Sequence, residues 1–409
     1  MARRLGGLTV AVTALPLMIS GCGAGGSGDS GGGGNDGNVP TSVKLGVIQP
    51  MTGAFAVLGT VVKNSMQVQV DKINAAGGVN GAKLELVVRD MQLDPAKAVQ
   101  FSNELARDPQ VKLVVGPSIS AFYEAAKKTF EDTEMINCQP AVASQDWSAL
   151  KVGFQAQDEA ETVVVRLLEF LQSKGVTKVG MVENNDDGGR TYHGLFEKLA
   201  PDYGVALVGW EQSRSDDQSH LAYVQKLMGK GAEAIWMSNV ASGALTAAAA
   251  GKAGFQGLLI TGNGLSSLPN IEATGDMLGK TAFTAGGFYY AAEDKSSWPA
   301  GYKEWAEALD KQFGKDAGPK TGVSILRGAP QAADCVAAFS AAAEKAQSFD
   351  RKKLAEAMET ISIPGSESPS GCDIHPGDDH SLYEASCGRV YIWKQGTGGW
   401  VTEDVTPEK

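Results

Sequence analysis

The chain has 409 residues, of which 43% are hydrophobic and 20% are charged, enough material for two or three domain-sized units with packed cores. Its 47 acidic and 36 basic residues give a formal net charge of -11. This acidic balance argues against nucleic-acid binding and against a polybasic membrane-binding surface.

The N-terminus has the layout of an export signal. Two arginines precede an apolar stretch over residues 5–19, and the small residues Ser20 and Gly21 stand directly before Cys22. This arrangement resembles the lipobox of bacterial lipoproteins, in which the leader is removed and the cysteine is acylated. We therefore expect a signal peptide over residues 1–21 and a lipid anchor on Cys22, at the outer face of the plasma membrane. The alternative is an ordinary secretory signal in which this cysteine is incidental.

A polar tether follows the anchor. Residues 22–40 are almost entirely Gly, Ser, Asp and Asn, so they cannot bury a hydrophobic core. We expect a flexible linker between the anchor and the folded part of the protein.

From residue 43 the sequence alternates between short apolar strands and amphipathic helices, and Asp94 with Pro95 has the pattern of a helix N-cap followed by Pro at the first helical position. Strands are predicted over 43–48, 84–88, 111–115, 178–182, 206–210, 234–237 and 258–261, with a final strand pair over 389–393 and 399–402. Helices are predicted over 61–73, 95–107, 120–131, 160–173, 191–199, 221–228 and 243–252. Two such runs, 43–155 and 160–262, predict an α/β fold of two similar lobes, each a parallel sheet with helices on both faces.

Four cysteines remain after Cys22, an even number suited to an oxidising compartment. They allow three pairings, and locality favours Cys372–Cys387, which leaves Cys138–Cys335. Because two histidines lie between Cys372 and Cys387, a zinc site is the alternative. The irregular spacing makes the disulfide the better interpretation, and we expect no metal.

Motifs for cofactor chemistry and catalysis are incomplete. The Gly262-x-Gly264 pair after a predicted strand lacks the third glycine of a dinucleotide-binding fingerprint, since Ser267 stands there. No phosphate-binding loop and no recognisable Ser/His/Asp pattern occurs. We therefore expect no cofactor and no enzymatic activity, although the sequence does not exclude an exported hydrolase.

Three stretches carry a resemblance to a known family. Residues 45–53 (LGVIQPMTG), 73–81 (INAAGGVNG) and 90–99, which contains LDPAKAV, are similar to the type 1 periplasmic-binding-protein family, in particular its leucine/isoleucine/valine-binding branch. The resemblance implies two lobes joined by three hinge crossings, with the ligand held between them. We place the crossings near 155–160, 284–290 and 385–392.

With these crossings, the lobe boundaries follow. The N-terminal lobe is expected over residues 41–157 and 288–386. The C-terminal lobe is expected over residues 158–287 and 387–409.

The resemblance also implies a carboxylate-binding loop in the first lobe. Ser118 and Ser120 match the positions where family members bind the ligand carboxylate, next to helix N–H groups. The alternative is that either serine is simply a helix N-cap. In the next loop, Ala143 falls where the family often has threonine, and Ser144 could supply the hydroxyl instead.

On the amine-binding side the sequence departs from the family. The expected carboxylate of the second lobe falls on Asn263, a neutral amide that cannot balance an ammonium. Asp158, at the first hinge crossing, is the candidate replacement, with a helix N-cap as the alternative of equal weight. Tyr192 is the candidate for a missing tyrosine, and Leu58 replaces the usual aromatic residue.

These features predict a lipid-anchored solute-binding protein of an ABC importer, with a small polar ligand such as an amino acid, an amide or a carboxylic acid. The expected partners are the permease subunits of the transporter, and a monomer suits that role. The alternatives are a ligand-sensing module for a membrane receptor and, with less support, an exported enzyme.

Overall fold

The computed structural model describes residues 40–53, 56–141, 147–214, 216–237, 241–262, 274–286, 296, 298–314, 329–396 and 399–407. Within them, strands and helices alternate as the sequence predicts.

The strands are β1 (Ser42–Gln49), β2 (Lys83–Asp90), β3 (Val111–Val115), β4 (Ile136–Gln139), β5 (Gly153–Gln155), β6 (Lys178–Asn184), β7 (Ala206–Ser213), β8 (Ala234–Met237), β9 (Leu258–Thr261), β10 (Thr281–Gly286), β11 (Gly388–Gly396) and β12 (Gly399–Asp404). The helices are α1 (Ala56–Ala75), α2 (Pro95–Arg107), α3 (Ser120–Asp132), α4 (Ala160–Ser173), α5 (Asp187–Leu199), α6 (Leu221–Gly229), α7 (Ala241–Lys252), α8 (Ala300–Phe313), α9 (Ala329–Ala346) and α10 (Arg351–Met358). Short 3-10 helices span Trp147–Ala149, Ala200–Tyr203, Gly275–Lys280 and Ala385–Cys387.

The first lobe is built on a five-stranded, all-parallel sheet in the order β2-β1-β3-β4-β5. Helices α2 and α3 pack together on one face, while α1, α9 and α10 cover the other. Both faces are therefore buried, which explains why the central strands β1 and β3 are mostly apolar instead of alternating.

The second lobe contains a seven-stranded sheet in the order β12-β11-β10-β9-β8-β6-β7. Its strands β6 to β10 are parallel, whereas β11 pairs antiparallel with β10 and β12 pairs antiparallel with β11. The two-lobed α/β prediction is confirmed, and the second sheet adds an antiparallel edge to its parallel strands.

Three strands were not predicted from the sequence, and their composition explains why. β4 carries Asn137 and Gln139, β5 has only three residues, and β10 mixes Thr and Gly with apolar residues. None of them forms the uninterrupted apolar run by which a buried strand is recognised. Helix α5 also begins at Asp187, four residues before the prediction, because Asp186 accepts a hydrogen bond from the N–H of Gly189 as the N-cap.

The chain passes between the two sheets at three places. It leaves the first sheet after β5, returns after β10, and enters the second sheet again at β11. The first and third passages run side by side, since the Gln155 N–H donates to the His380 carbonyl and the Leu382 N–H donates to the Gln155 carbonyl.

Both predicted cysteine pairs are present in the structure. The long-range disulfide joins Cys138 on β4 to Cys335 on α9, across 197 positions of sequence. The short-loop disulfide joins Cys372 to Cys387, across 15 positions, directly before β11. The two sulfur atoms of the discounted zinc motif are therefore bonded to each other.

A hydrophobic cluster rich in aromatic residues connects the lobes. Val61 of α1 and Trp305 of α8 pack in one buried group with Phe283, Tyr391 and Trp393 of the second sheet.

None of the helices in the described ranges is long and apolar enough to cross a bilayer.

Candidate functional site

The carboxyl ends of the parallel strands in the first sheet meet at one edge, and the turn after β3 shapes its centre. Gly116 has a φ of +99°, and a Cβ atom there would overlap the carbonyl oxygen of Ile48 at the end of β1. Only glycine fits this conformation and this close approach. The peptide bond between Gly116 and Pro117 is cis, and the chain then enters α3.

The N-terminus of α3 has no side-chain cap. Ile119 is the N-cap residue, and Ser120 is the first residue of the helix. Ser118 is buried, and its hydroxyl accepts a hydrogen bond from Nε2 of Gln49 at 2.6 Å. Neither serine therefore caps α3, and within the described residues no side chain accepts from the first N–H groups of this helix, which lie at this edge of the sheet.

Buried amide side chains extend from this turn across the neighbouring strand ends. Nδ2 of Asn137 donates to the carbonyl oxygens of Val114 at 3.0 Å and Gly116 at 2.7 Å, and Nε2 of Gln139 donates to Oδ1 of Asn137 at 2.7 Å. We call Gln49, Asn137 and Gln139 the amide row. Amide groups offer hydrogen-bond donors and acceptors without net charge.

Asp158 lies in the passage from β5 to α4 and is only 5% exposed. Burial raises the pKa of its carboxyl group to about 7, and the nearby Arg166 guanidinium opposes that rise. The N-cap of α4 is Glu159, so the capping role considered for Asp158 is not the one that the structure shows. Asp158 is therefore a buried carboxyl group in this passage that does not cap α4.

A second buried carboxyl group, Asp334 of α9, is bound within the same hinge region. Tyr383 donates its hydroxyl hydrogen to Oδ2 of Asp334 at 2.5 Å, and the N–H of Ser370 donates to Oδ1 at 3.2 Å. Burial raises the pKa of Asp334 to about 7, and burial together with Asp334 raises the pKa of Tyr383. Asp158 makes a smaller electrostatic contribution that also raises the pKa of Tyr383.

In the second lobe, Tyr192 of α5 packs into the hydrophobic core. Its ring lies 4.9 Å from that of Trp236 on β8, and 8% of the residue is exposed. The indole N–H of Trp236 donates to Oε1 of Glu183, a buried carboxyl group near the carboxyl end of β6. Glu183 is thus a buried carboxyl group of the second lobe that is paired with an indole N–H.

Among the predicted binding and lipidation residues not yet discussed, Leu58 lies within the described part of the chain and the others lie outside it. Leu58 of α1 is half-buried and packs against the first-lobe core. Ala143, Ser144 and Asn263 lie outside the described residues, as does the predicted lipidation site Cys22. Among the described ranges, no group of three or more His, Cys, Asp or Glu residues is arranged to hold a metal ion.

A surface cavity of about 240 Å³ lies on the second lobe and is lined by Arg166, Ser386, Gly388, Arg389, Thr406 and Pro407, none of which belongs to the amide row. Its two guanidinium groups are ion-paired, Arg166 with Glu169 at 2.9 Å and Arg389 with Asp404 at 2.7 Å. With the positive charge compensated, this cavity offers little attraction to an anion.

Two lobes joined by three passages, with a helix N-terminus at the carboxyl ends of the parallel strands, are the features that the sequence resemblance implies. A family model described as periplasmic binding protein matches residues 42–397. The chain belongs to the periplasmic binding protein family. Its fold accordingly agrees with that of solved members.

Comparison with individual proteins supports this membership. The Leu/Ile/Val-binding protein homolog 3 of Brucella melitensis is 27% identical over 249 residues, which cover 59% of this chain and 67% of the relative. A periplasmic binding protein type 1 from Bordetella pertussis superimposes with a TM-score of 0.78 at 19% identity, covering 89% of this chain and 100% of that protein. A solute-binding protein of an ABC transporter from R. palustris, solved in complex with 4-hydroxybenzoate, gives a TM-score of 0.75 at 17% identity, covering 90% and 97%.

The amide row, Glu183 and the Asp334–Tyr383 pair were not predicted from the sequence. A signal for the row was present: β1 and β4 both end in a glutamine that is followed by proline, and polar side chains at the last positions of buried strands lie at the edge where α/β folds bind ligands. No local signal marks Asp334, because it lies within an alanine-rich helix and meets Tyr383 only in the tertiary structure.

Proposed function

We propose that this protein is an extracytoplasmic solute-binding lipoprotein that captures a small polar organic ligand between its lobes and delivers it to an ABC importer. The observation that carries the proposal is the polar edge of the first sheet, where the uncapped N-terminus of α3 adjoins the Gln49–Ser118 hydrogen bond. Family membership and the export signal support the same role.

In this proposal the first lobe binds the anionic or carbonyl end of the ligand. Ser120 and the first N–H groups of α3 donate to it, and Ser118 is held in place by Gln49. A helix N-terminus favours an anion without any basic side chain. The loop that contains Ala143 and Ser144 follows β4 and is proposed to complete this side of the site.

The opposite side of the ligand is proposed to meet Asp158 at the hinge and Asn263 in the second lobe, with Leu58 and Tyr192 contributing shape. An ammonium next to Asp158 would favour the ionised carboxylate and lower its pKa. The Brucella relative's name suggests a branched-chain amino acid, whereas the R. palustris protein shows that the same fold accepts an aromatic acid.

Ligand capture is tested with a thermal-shift panel on the purified protein. Leucine, isoleucine, valine, simple amides, ureas, and aliphatic and aromatic acids are each added in excess. A ligand that binds only the folded protein raises the melting temperature according to its concentration and affinity. A protein that recognised none of these classes would contradict the proposed ligand range.

The lipid anchor requires a separate test. In bacteria that process lipoproteins, the wild-type protein is expected in the detergent phase of a Triton X-114 partition, and Cys22→Ser in the aqueous phase. The Cys387→Ser variant is the control, since it also removes one cysteine but leaves the anchor position intact. Equal partitioning of wild type and Cys22→Ser would exclude acylation at this residue.

Delivery to a transporter is tested by uptake. Deletion of the gene should abolish high-affinity uptake of the ligand found in the thermal-shift panel, and wild-type protein should restore it. Normal uptake in the deleted strain would contradict a transport role even if binding were established.

A further inference from the structure

The amide row contains a hydrogen-bond acceptor whose identity is determined by its neighbours. Nδ2 of Asn137 lies beside two backbone carbonyl oxygens, those of Val114 and Gly116, so this end of the Asn137 amide must be the donor. Its other end, Oδ1, is consequently an acceptor. The group that donates to it at 2.7 Å must therefore be Nε2 of Gln139.

Because Nε2 of Gln139 is the donor to Asn137, the other polar atom of the Gln139 amide is the acceptor Oε1. Gln139 is fully buried, and its Oε1 has no hydrogen-bond partner among the residues that the structure describes. Oε1 of Gln49, on the other side of the Gly116 turn, is likewise buried and unpaired within the described part of the chain. Buried polar atoms in native proteins are nearly always hydrogen-bonded, so a partner for Gln139 remains to be identified.

The position of this acceptor indicates a ligand. Gln139 is the last residue of β4, and the ligands of open α/β sheets bind beyond the carboxyl ends of the strands. The uncapped N-terminus of α3, which follows the neighbouring strand β3, adds N–H donors at the same edge. One site thus offers both a neutral acceptor and neutral donors.

Charge discriminates between possible ligand groups. The amide row is neutral, and a neutral amide cannot balance a buried ammonium as a carboxylate does. A carboxylate has no hydrogen to donate to Gln139, and a methyl group would leave the acceptor unpaired. A carboxamide or ureido group meets both requirements, because its N–H reaches an acceptor while its carbonyl oxygen accepts from α3.

We infer that Gln139 is a specificity-determining residue of the binding site and accepts a hydrogen bond from an N–H of a carboxamide or ureido group in the ligand. This inference rests on the proposed function, in which the ligand lies at the carboxyl edge of the first sheet. It goes further by assigning a residue and a chemical class to the first-lobe side of the site.

The test is isothermal titration of the full protein with matched probes. Butyramide and N-propylurea carry the inferred group, while butyrate and butylamine are the acid and amine of the same chain length, and leucine, isoleucine and valine represent the branched-chain alternative. We expect the wild type to bind butyramide or N-propylurea at least tenfold more tightly than butyrate or butylamine.

Variants locate the effect. Gln139→Met keeps the side-chain length but removes the acceptor, and it should reduce the preference for the amide or urea probe over butyrate at least tenfold. Gln69→Met is the matched control, because Gln69 is also buried but lies on α1 outside the amide row, and it should keep the preference. If Gln139→Met does not fold, Gln139→Glu provides a second test, since its carboxylate should shift the preference toward butylamine.

The possible failures are distinguishable. If the wild type binds leucine, isoleucine or valine but neither the amide nor the urea probe, the assigned ligand class is wrong and the proposed function stands. If Gln139→Met and Gln139→Glu both fold and bind the amide as the wild type does, a buried water pairs with Gln139 and its assignment as a ligand residue is overturned. If no probe and no compound of the thermal-shift panel binds, both proposals fail.

Discussion

Replacing Asp158 by asparagine should stabilise the protein at pH 8 and leave its stability nearly unchanged at pH 4. The pKa of Asp158 rises from its ordinary value of 3.8 to about 7, because burial disfavours the charged form more than Arg166 restores it. Between pH 3.8 and about pH 7 the native state holds a proton that the unfolded state has lost. Stability therefore falls as the pH rises from 3.8 to about 7, and the contribution of the buried carboxyl group to stability is complete only below pH 3.8.

The magnitude follows from the width of that window. Each pH unit lowers the free energy of unfolding by up to about 1.4 kcal/mol, so the ionised carboxyl group costs about 4 kcal/mol at pH 8 relative to pH 4. Asparagine has nearly the same shape and does not titrate, so Asp158→Asn should gain most of this amount at pH 8. Asp334, whose pKa is also about 7, contributes the same slope to both proteins and cancels in the difference.

The assay is urea unfolding followed by tryptophan fluorescence at pH 4, 6 and 8, with wild type and variant measured in parallel. Asp378→Asn is the control, because Asp378 is exposed and its removal should change stability by less than about 0.5 kcal/mol at any pH. Equal or lower stability of Asp158→Asn at pH 8 would refute the reasoning, since it would mean that Arg166 fully compensates the buried charge.

Three further perturbations test the structure. Gly116→Ala should destabilise the protein by at least about 2 kcal/mol and abolish ligand binding, because a Cβ there overlaps the Ile48 carbonyl oxygen. The control Gly254→Ala should cost only about 1 kcal/mol, because Gly254 has a φ of +70° but open space around it. Equal melting temperatures of the two variants would contradict this expectation. Removing the long-range disulfide by replacing both cysteines with Ala should cost about 5 kcal/mol, and removing the short-loop disulfide about 3 kcal/mol. The difference is expected because the long-range disulfide spans 197 positions and the short-loop disulfide 15. Urea midpoints in the reverse order would show that loop entropy does not control the difference between the two disulfides. Arg351→Ala should lower the free energy of unfolding by about 2 kcal/mol, since Arg351 donates to three backbone carbonyl oxygens. The control Lys352→Ala should leave stability unchanged, because Lys352 is exposed. Unchanged stability of Arg351→Ala in the same unfolding assay would show that water replaces these hydrogen bonds.

Much of the secondary structure could be read from the sequence because its signals are local. The N-cap Asp94 and the following Pro95 define the start of α2, where the Asp94 side chain accepts from the N–H groups of Ala96 and Lys97. The apolar runs of β3, β8 and β9 coincide with the observed strands, since strands buried on both faces are rich in apolar residues. The alternation of these elements was sufficient to predict two α/β lobes.

The candidate site was less accessible to prediction, because its properties come from residues far apart in the chain. Ser118 is hydrogen-bonded to Gln49, 69 positions earlier, and Asp334 to Tyr383, 49 positions later. The Gln139 acceptor, which has no partner within the described residues, is defined only once Asn137 is placed beside two carbonyl groups of β3 and the turn that follows it. A hydrogen bond between distant residues has no periodic pattern that a sequence window could detect.

By itself, the sequence determined the alternating strands and helices, the two-lobed α/β class and the similarity to the periplasmic binding proteins, because hydrophobic periodicity, capping residues and short motifs act over a few neighbouring positions. The tertiary structure alone decided that Asp158 is buried, which raises its pKa to about 7, and that Asp334 meets Tyr383. It also decided that the strand ends of the first sheet form a neutral row of amides. Burial and long-range pairing arise when the chain packs, and only packing sets the dielectric environment and the partner of each polar group.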